Sequence, residues 1–178
     1  MIITISQIGA NSYWTGASVE IGVADICPEG WTRQPLPVLA EGEGARWDGR
    51  GWLVTSAAGR FADRKADKLA ALAARRWQAE TGGIVFMTMA IKTDEDTQRK
   101  ITGAYVQADK NPAFTARWKM DAGVFVTLNA ATIIAIGDAV TTHIQTCFDK
   151  EADLSNLIAA AEDEASLDAI DIEGGWPS

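Results

Sequence analysis

One stretch constrains the chain more than any other. From Asn129 onward, Ile133, Ile136, Val140, Ile144, Cys147, Leu154, Ile158 and Ala161 recur at three- and four-residue steps, the spacing of one apolar helix face. Asn129 is a good N-cap for it. Continuous from Ala130 to Ala161, such a helix is about 48 Å long at the α-helical rise. A chain of 178 residues has few elements with which to cover a stripe of that length. Much of the stripe is close to a 3.5-residue repeat, interrupted by Glu151. The second half, from Glu151 to Ala161, leaves Leu154, Leu157 and Ile158 without a mate, and exposed apolar area of that kind marks a partner surface. Two outcomes follow: this end docks on another protein or on copies of itself, or the helix breaks near Lys150 to Asp153 and folds back on its own stripe.

The rest of the pattern divides near residue 60 into two parts, 1–58 and 60–178. The first part has no helical period. "MIITISQI" and "YWTGASVEIGV" read as extended, with Gly16 as a bend, and "CPEGW" as a turn. Pro35 and Pro37 hold "QPLPVL" extended. "GARWDGRGWLVT" reads as a hairpin with a "DG" turn between Trp47 and Trp52. Aliphatic side chains are scarce here, so Trp14, Trp31, Trp47 and Trp52 are expected to supply much of a small β core. The competing use of these four rings is as a ligand or partner face, with indoles in a row stacking on sugars.

The second part reads as α-β-β-α-β-β-α. A helix over 59–82 carries the stripe Ala66, Leu69, Ala73 and Trp77, with Leu72 beside it, and stops at Gly82-Gly83. "IVFMTMAIKTD" gives two short strands reversing near Thr88 to Ala90. Thr93 is a candidate cap for the next helix, whose first turn gathers Asp94, Glu95 and Asp96. "TARWKMDAGVFVTL" is a hairpin around "DAG". Ser166 caps a final short turn, "LDAID". The fold class is therefore α+β: a Trp-rich β module, then an α+β domain built of hairpins and helices around one long helix.

Chemistry-bearing patterns are scarce. The formal net charge is −8 and the basic residues from Arg60 to Arg76 alternate with acids, which argues against nucleic acid. No run is long enough to cross a bilayer, and no basic segment leads into an apolar one at the start, so no membrane insertion or export signal is expected. Cys27 and Cys147 have no metal-ligand spacing, and Cys147 falls on the apolar stripe as a small core residue. His143 is the only histidine and is expected to be a packed or surface residue. "DEDT" at 94–97 lacks the alternating ligands and central glycine of a calcium loop. No nucleophile motif or phosphate loop is present. No cofactor, metal or catalytic residue is expected.

The motifs nevertheless have a resemblance. Tyr13 to Gly16, Cys27 to Trp31, Pro35 to Pro37 and Trp47 to Trp52 reproduce an aromatic-Gly start, a "CP.GW" turn, a proline-rich extension and a "W.G..W" hairpin. This run resembles the short module of bacteriophage tail-fibre assembly proteins and adjoining tail genes. The remainder is similar to an uncharacterised domain of phage and prophage tail proteins, in "RRWQAETGGI", "IKTDEDTQRKITGA", "ARWKMDAGVFVTLNAATIIAIGDAVTTHIQTCFDKEADL" and "LDAIDIEGGWP". Relatives carry a polar or glycine turn where this chain has "MTMA". The resemblance implies a non-enzymatic tail protein that associates with a tail fibre or receptor-binding protein. The role it implies is fibre-assembly chaperone or tail-tip virion subunit, located in the host cytoplasm during assembly and, for the subunit alone, in the virion tail. Two other classes stay open: an adhesin binding host polysaccharide through the N-terminal tryptophans, and a polysaccharide-cleaving enzyme.

Overall fold

The computed structural model describes residues 1–119 and 123–177. They form two compact units, Met1–Asp67 and Lys68–Ser178. The boundary lies inside helix α1 (Ala57–Thr81), so the residues around 57–60, where the sequence changes character, are the first turn of that helix. The fold is α+β, as the order of periodicities predicts.

In the N-terminal unit, β1 (Ile2–Ile8) is the centre of a three-stranded sheet. β2 (Trp14–Gly22) pairs with it antiparallel, with a register shift between Ser6 and Ile8. The two-residue β3 (Trp31–Thr32) takes the other edge. Gly16 and Gly30 both have positive φ, the bend and the turn that only glycine enters without strain. β4 (Gly44–Trp47) and β5 (Trp52–Thr55) form the hairpin, paired from Gly44↔Thr55 to Trp47↔Trp52. Its loop is Asp48 to Gly51, longer than a "DG" turn alone. The Asp48 side chain sets it by accepting both Arg50 N–H and Gly51 N–H at 2.8 Å.

The tryptophans are not the centre of this unit. Ile5 and Ala45 are buried, whereas Trp14, Trp31, Trp47 and Trp52 are each half-buried. An indole must place its N–H on an acceptor. Trp14 Nε1 donates to Ala17 O at 3.0 Å and Trp52 Nε1 to Gln34 O at 3.1 Å, which keeps those edges near the surface.

In the C-terminal unit, β6 (Ile84–Phe86) and β7 (Met89–Ile91) form one hairpin, and β8 (Thr115–Lys119) and β9 (Phe125–Asn129) another. The predicted "DAG" turn of the second falls partly on Asp121 and Ala122, outside the described residues. Helix α2 (Glu95–Lys110) packs along α3 (Ala130–Ala160). A Cβ on Gly137 would lie 2.5 Å from the Tyr105 ring, so glycine in mid-helix lets α2 approach closely. The core joins Ile91, Ile101, Leu128, Ile133, Ile136 and Val140. A short α4 (Glu164–Asp168) follows.

Three local expectations are corrected. The α2 cap is Asp94, whose carboxylate accepts Thr97 N–H at 3.0 Å and Thr97 Oγ1–H at 2.9 Å. Thr93 is instead completely buried: its hydroxyl donates to Glu80 O and accepts Gly83 N–H, tying the end of α1 to the start of α2. The α4 cap is Asp163, with Ser166 as the third helical residue of a capping box. The β6–β7 reversal is at Met87-Thr88, since Phe86 pairs with Met89.

The Asp94 cap makes a pH prediction. Hydrogen bonds from the Thr97 backbone N–H and then the Thr97 hydroxyl hold its carboxyl below the usual range. A carboxyl depressed in the folded state stabilises it above the unfolded value, and that contribution is lost as pH falls through the folded value. Asp94→Asn keeps a good cap. Urea denaturation across the acid range is expected to show a shallower loss of stability in the variant than in the parent.

Candidate functional site

Helix α3 is unbroken over its 31 residues, about 46 Å. Asn129 caps it by accepting Thr132 N–H at 2.9 Å. The predicted partner face is dispersed: Ile158 is 0% exposed, Leu157 is 55% exposed and Leu154 is half-buried. The helix does not break near Lys150 to Asp153, and Ile158 is closed off within the chain. The far half of α1 and the tail after α3 are tied to this end of the unit by two contacts, Arg76 to Glu151 and Trp176 to Lys150. Leu72 of α1 and Leu167 of α4 are as deeply buried as Ile158. Lys68 Nζ donates to Leu167 O at 2.6 Å. Trp176 lies beneath both Arg75 and Lys150, each 5.5 Å from its ring centroid, and donates its Nε1–H to Ile172 O. The closing "GGWP" is thus an anchor that straps the tail across two helices by cation–π contacts.

The inward face of α1 also differs from the predicted stripe. Leu72, Ala79 and Glu80 are buried, while Ala66, Leu69, Ala73 and Trp77 are exposed. The reason is ionic. Arg76 points inward, paired with Glu80 and stacked 4.5 Å above Phe148. Its Nε lies 3.0 Å from Glu151 Oε2, with the N–H not aimed at that oxygen, so this contact is Coulombic. Glu151, which interrupts the apolar repeat of α3, is there to meet Arg76.

His143 is buried, and its Nε2–H donates to Ala79 O in the last turn of α1 at 3.1 Å. Cys147 Sγ lies 3.9 Å from the same nitrogen. Burial, followed by the Glu80 charge, pushes the Cys147 thiol up, which makes it a poor nucleophile. These groups join two helices. His143→Ala is expected to destabilise the unit by about 2–3 kcal/mol through the lost bond and the cavity. His143→Gln is expected to recover part of that in thermal denaturation.

The tryptophan face does not assemble as a flat row. Trp47 and Trp52 meet edge to face, 5.3 Å apart with planes at 70°. Trp31 lies on the edge strand β3. Trp14 lines an open cleft of the N-terminal unit.

A different surface is unusual. In the β6–β7 hairpin, Ile84, Phe86, Met89 and Ile91 belong to the core and its border. Their alternates should be polar on a half-buried hairpin. Here they are Val85 and Ala90, paired across the strands and both exposed. Val85 is 72% exposed and Met87, at the tip, 80%. Met87 also has φ +56°, the left-handed region where a hairpin turn favours glycine or asparagine. The outward face borders an open cleft of about 680 Å³ lined by Val85, Ala90, Gly83, Arg75 and Trp176 among others. Neither strand has a further strand neighbour among the described residues, and the run "IVFMTMAI" carries no charge to guard its edges. The run is plain in the sequence. That half of it faces outward depends on the register, which the local sequence pattern leaves open.

Among the described residues, no three His, Cys, Asp or Glu side chains come together as metal ligands. No described helix is long and apolar enough to cross a membrane. Residues 63–173 match the family described as "Domain of unknown function (DUF4376)". No curated protein and no solved structure matches the chain.

Proposed function

The chain belongs to the DUF4376 family, and from that premise we propose that it is a non-enzymatic bacteriophage tail protein that associates with a tail fibre or receptor-binding protein. The observation that supports association is the outward face of the β6–β7 hairpin. Val85, Ala90 and Met87 are apolar and exposed on a sheet with open edges, beside a cleft. Apolar surface of this kind is what a partner protein covers. The phage-tail identity rests on the resemblance of both parts of the sequence to tail proteins. Its N-terminal motifs fall on β2, the turn before β3, and the β4–β5 hairpin of one small unit. The protein acts during fibre assembly in the host cytoplasm or stays at the tail tip of the virion.

The test is recovery of the tagged full chain from infected cells, with purified virions probed for it in parallel. A fibre or receptor-binding protein is expected in the eluate. Its presence in virions separates the tail-tip subunit from the chaperone. Recovery without any tail component would overturn the proposal.

A further inference from the structure

The outward face of the β8–β9 hairpin carries the opposite sign to the chain as a whole, whose formal net charge is −8. Its exposed residues are Thr115, Arg117 and Lys119 of β8 and Phe125, Thr127 and Asn129 of β9, with no acid among them. Elsewhere Arg46, Arg75, Arg76, Arg99 and Lys100 each stand against a carboxylate. Lys119 has no ion pair or hydrogen bond among the described residues. Arg117 has one contact, with its guanidinium carbon 5.7 Å from the Phe125 ring centroid. Arg117 is opposite Thr127 and Lys119 opposite Phe125, so that contact runs along the diagonal of the ladder. A guanidinium over a ring keeps its N–H donors in its own plane. No acceptor among the described residues takes them, and the ring restrains the long side chain before anything binds.

The strand that bears both cations is also an edge. β8 and β9 make a two-stranded sheet, and among the described residues Thr115–Lys119 form no backbone hydrogen bond outside it. Alternate residues of an antiparallel strand aim N–H and C=O away from its partner, so β8 offers unpaired backbone groups along its outer side. An added strand would place side chains opposite Arg117 and Lys119, which lie two residues apart on one face. The side chains between them would meet Ala116 and Trp118, both half-buried. A second copy's β8 does not suit this edge, because antiparallel pairing would set like charges against each other. Nucleic acid does not suit it either: binding by charge takes about 6–10 phosphate contacts, and only two cations stand here. An anionic bilayer calls for a cluster of about 4–8 basic residues.

We propose that β8 accepts an extended acidic segment of a partner protein as an added strand. Acids at alternate positions lie against Arg117 and Lys119, and apolar residues between them lie beside Trp118. This surface is separate from the β6–β7 hairpin, and its use does not depend on the fibre reading.

Titration calorimetry of the full chain with capped hexapeptides tests this. The probes are alternating glutamate and valine, alternating glutamine and valine, and a block peptide with all its glutamates before its valines. The alternating glutamate peptide is expected to bind at least about tenfold more tightly than either of the others, the combined worth of two exposed ion pairs. That margin is expected to shrink as salt rises. Arg117→Gln with Lys119→Gln is expected to bind the glutamate and glutamine peptides alike. Both positions are exposed, so its melting temperature stays within about 2 °C of the parent's. Lys119→Gln alone keeps Arg117 on Phe125 and is expected to weaken the glutamate peptide by about threefold. Arg117→Glu with Lys119→Glu is expected to prefer an alternating lysine and valine peptide instead. No heat from the alternating glutamate peptide at millimolar concentration overturns the proposal. So does equal binding of the block peptide, or a double glutamine variant that binds as the parent does. Tighter binding of a thymidine dodecamer or of phosphatidylserine vesicles overturns it in favour of that ligand. A dimer in light scattering that the double glutamine variant abolishes gives the edge to a second copy and overturns it too.

Discussion

Ile158→Asp is expected to unfold the C-terminal unit, while Leu157→Asp, one residue away, leaves it folded. Ile158 is fully buried and Leu157 more than half exposed. The first substitution removes about 2–3 kcal/mol of apolar burial and places a carboxylate where nothing in the apolar stripe can pair with it, at a cost of several kcal/mol more. The sum is on the order of 5 kcal/mol or above, comparable with the whole stability of an ordinary domain. A surface change such as Leu157→Asp stays within about 0.5 kcal/mol. Thermal denaturation followed by circular dichroism checks both. The Ile158 variant should lose its cooperative transition or melt lower by about 10–20 °C. A folded Ile158→Asp variant that has lost only a partner would mean that α3 does present this end to another molecule, and that the tail does not cover it.

That contrast shows what periodicity can and cannot decide. The 3.6-residue repeat located α3, and the Asn129 cap is where the sequence places it, because both signals are local. What covers the far end of α3 is not local. Lys68 and Arg75 of α1 meet Leu167 and Trp176 roughly a hundred residues later, and nothing near Trp176 announces that contact. Charged side chains act over the same distances. The apolar count on α1 favours Leu69, Ala73 and Trp77, but Arg76 turns inward to Glu80 and Glu151 and the buried face lies toward Leu72 and Ala79. The residue that caps α2 lies one position after the first capping candidate in the sequence. Both Thr93 and Asp94 suit the role by type, and it is the burial of Thr93 against Glu80 and Gly83 at the end of α1 that leaves the role to Asp94. The tryptophans were legible as the mark of a small β unit. Their depth was not, because the indole N–H groups of Trp14 and Trp52 seek carbonyls at its rim.

The β6–β7 hairpin offers a substitution in which stability and association are expected to move in opposite directions. Met87 adopts φ +56°, which costs a non-glycine residue roughly 1 kcal/mol. Met87→Gly relieves that strain, and the flexibility glycine adds to the unfolded chain takes back part of the gain. The melting temperature is therefore expected to rise by about 1–3 °C. If the exposed tip is there only to close the hairpin, nothing else should change. If it meets a fibre, the variant loses a large apolar contact, and association should weaken by about tenfold or more. Val85→Asp presses the same point harder. Val85 is exposed in the free protein, so a carboxylate there costs the fold about 1 kcal/mol or less. Covered by a partner, that carboxylate would be desolvated without a cation, and association should fall by at least about a hundredfold. Binding of both variants to the recovered fibre protein, measured beside their melting temperatures, decides the matter. Unchanged affinity in Val85→Asp would move the docking surface off this hairpin, with the exposed Leu69 and Trp77 face of α1 the next surface to test. Reduced affinity together with a raised melting temperature in Met87→Gly would show that the strain is retained for the sake of the contact.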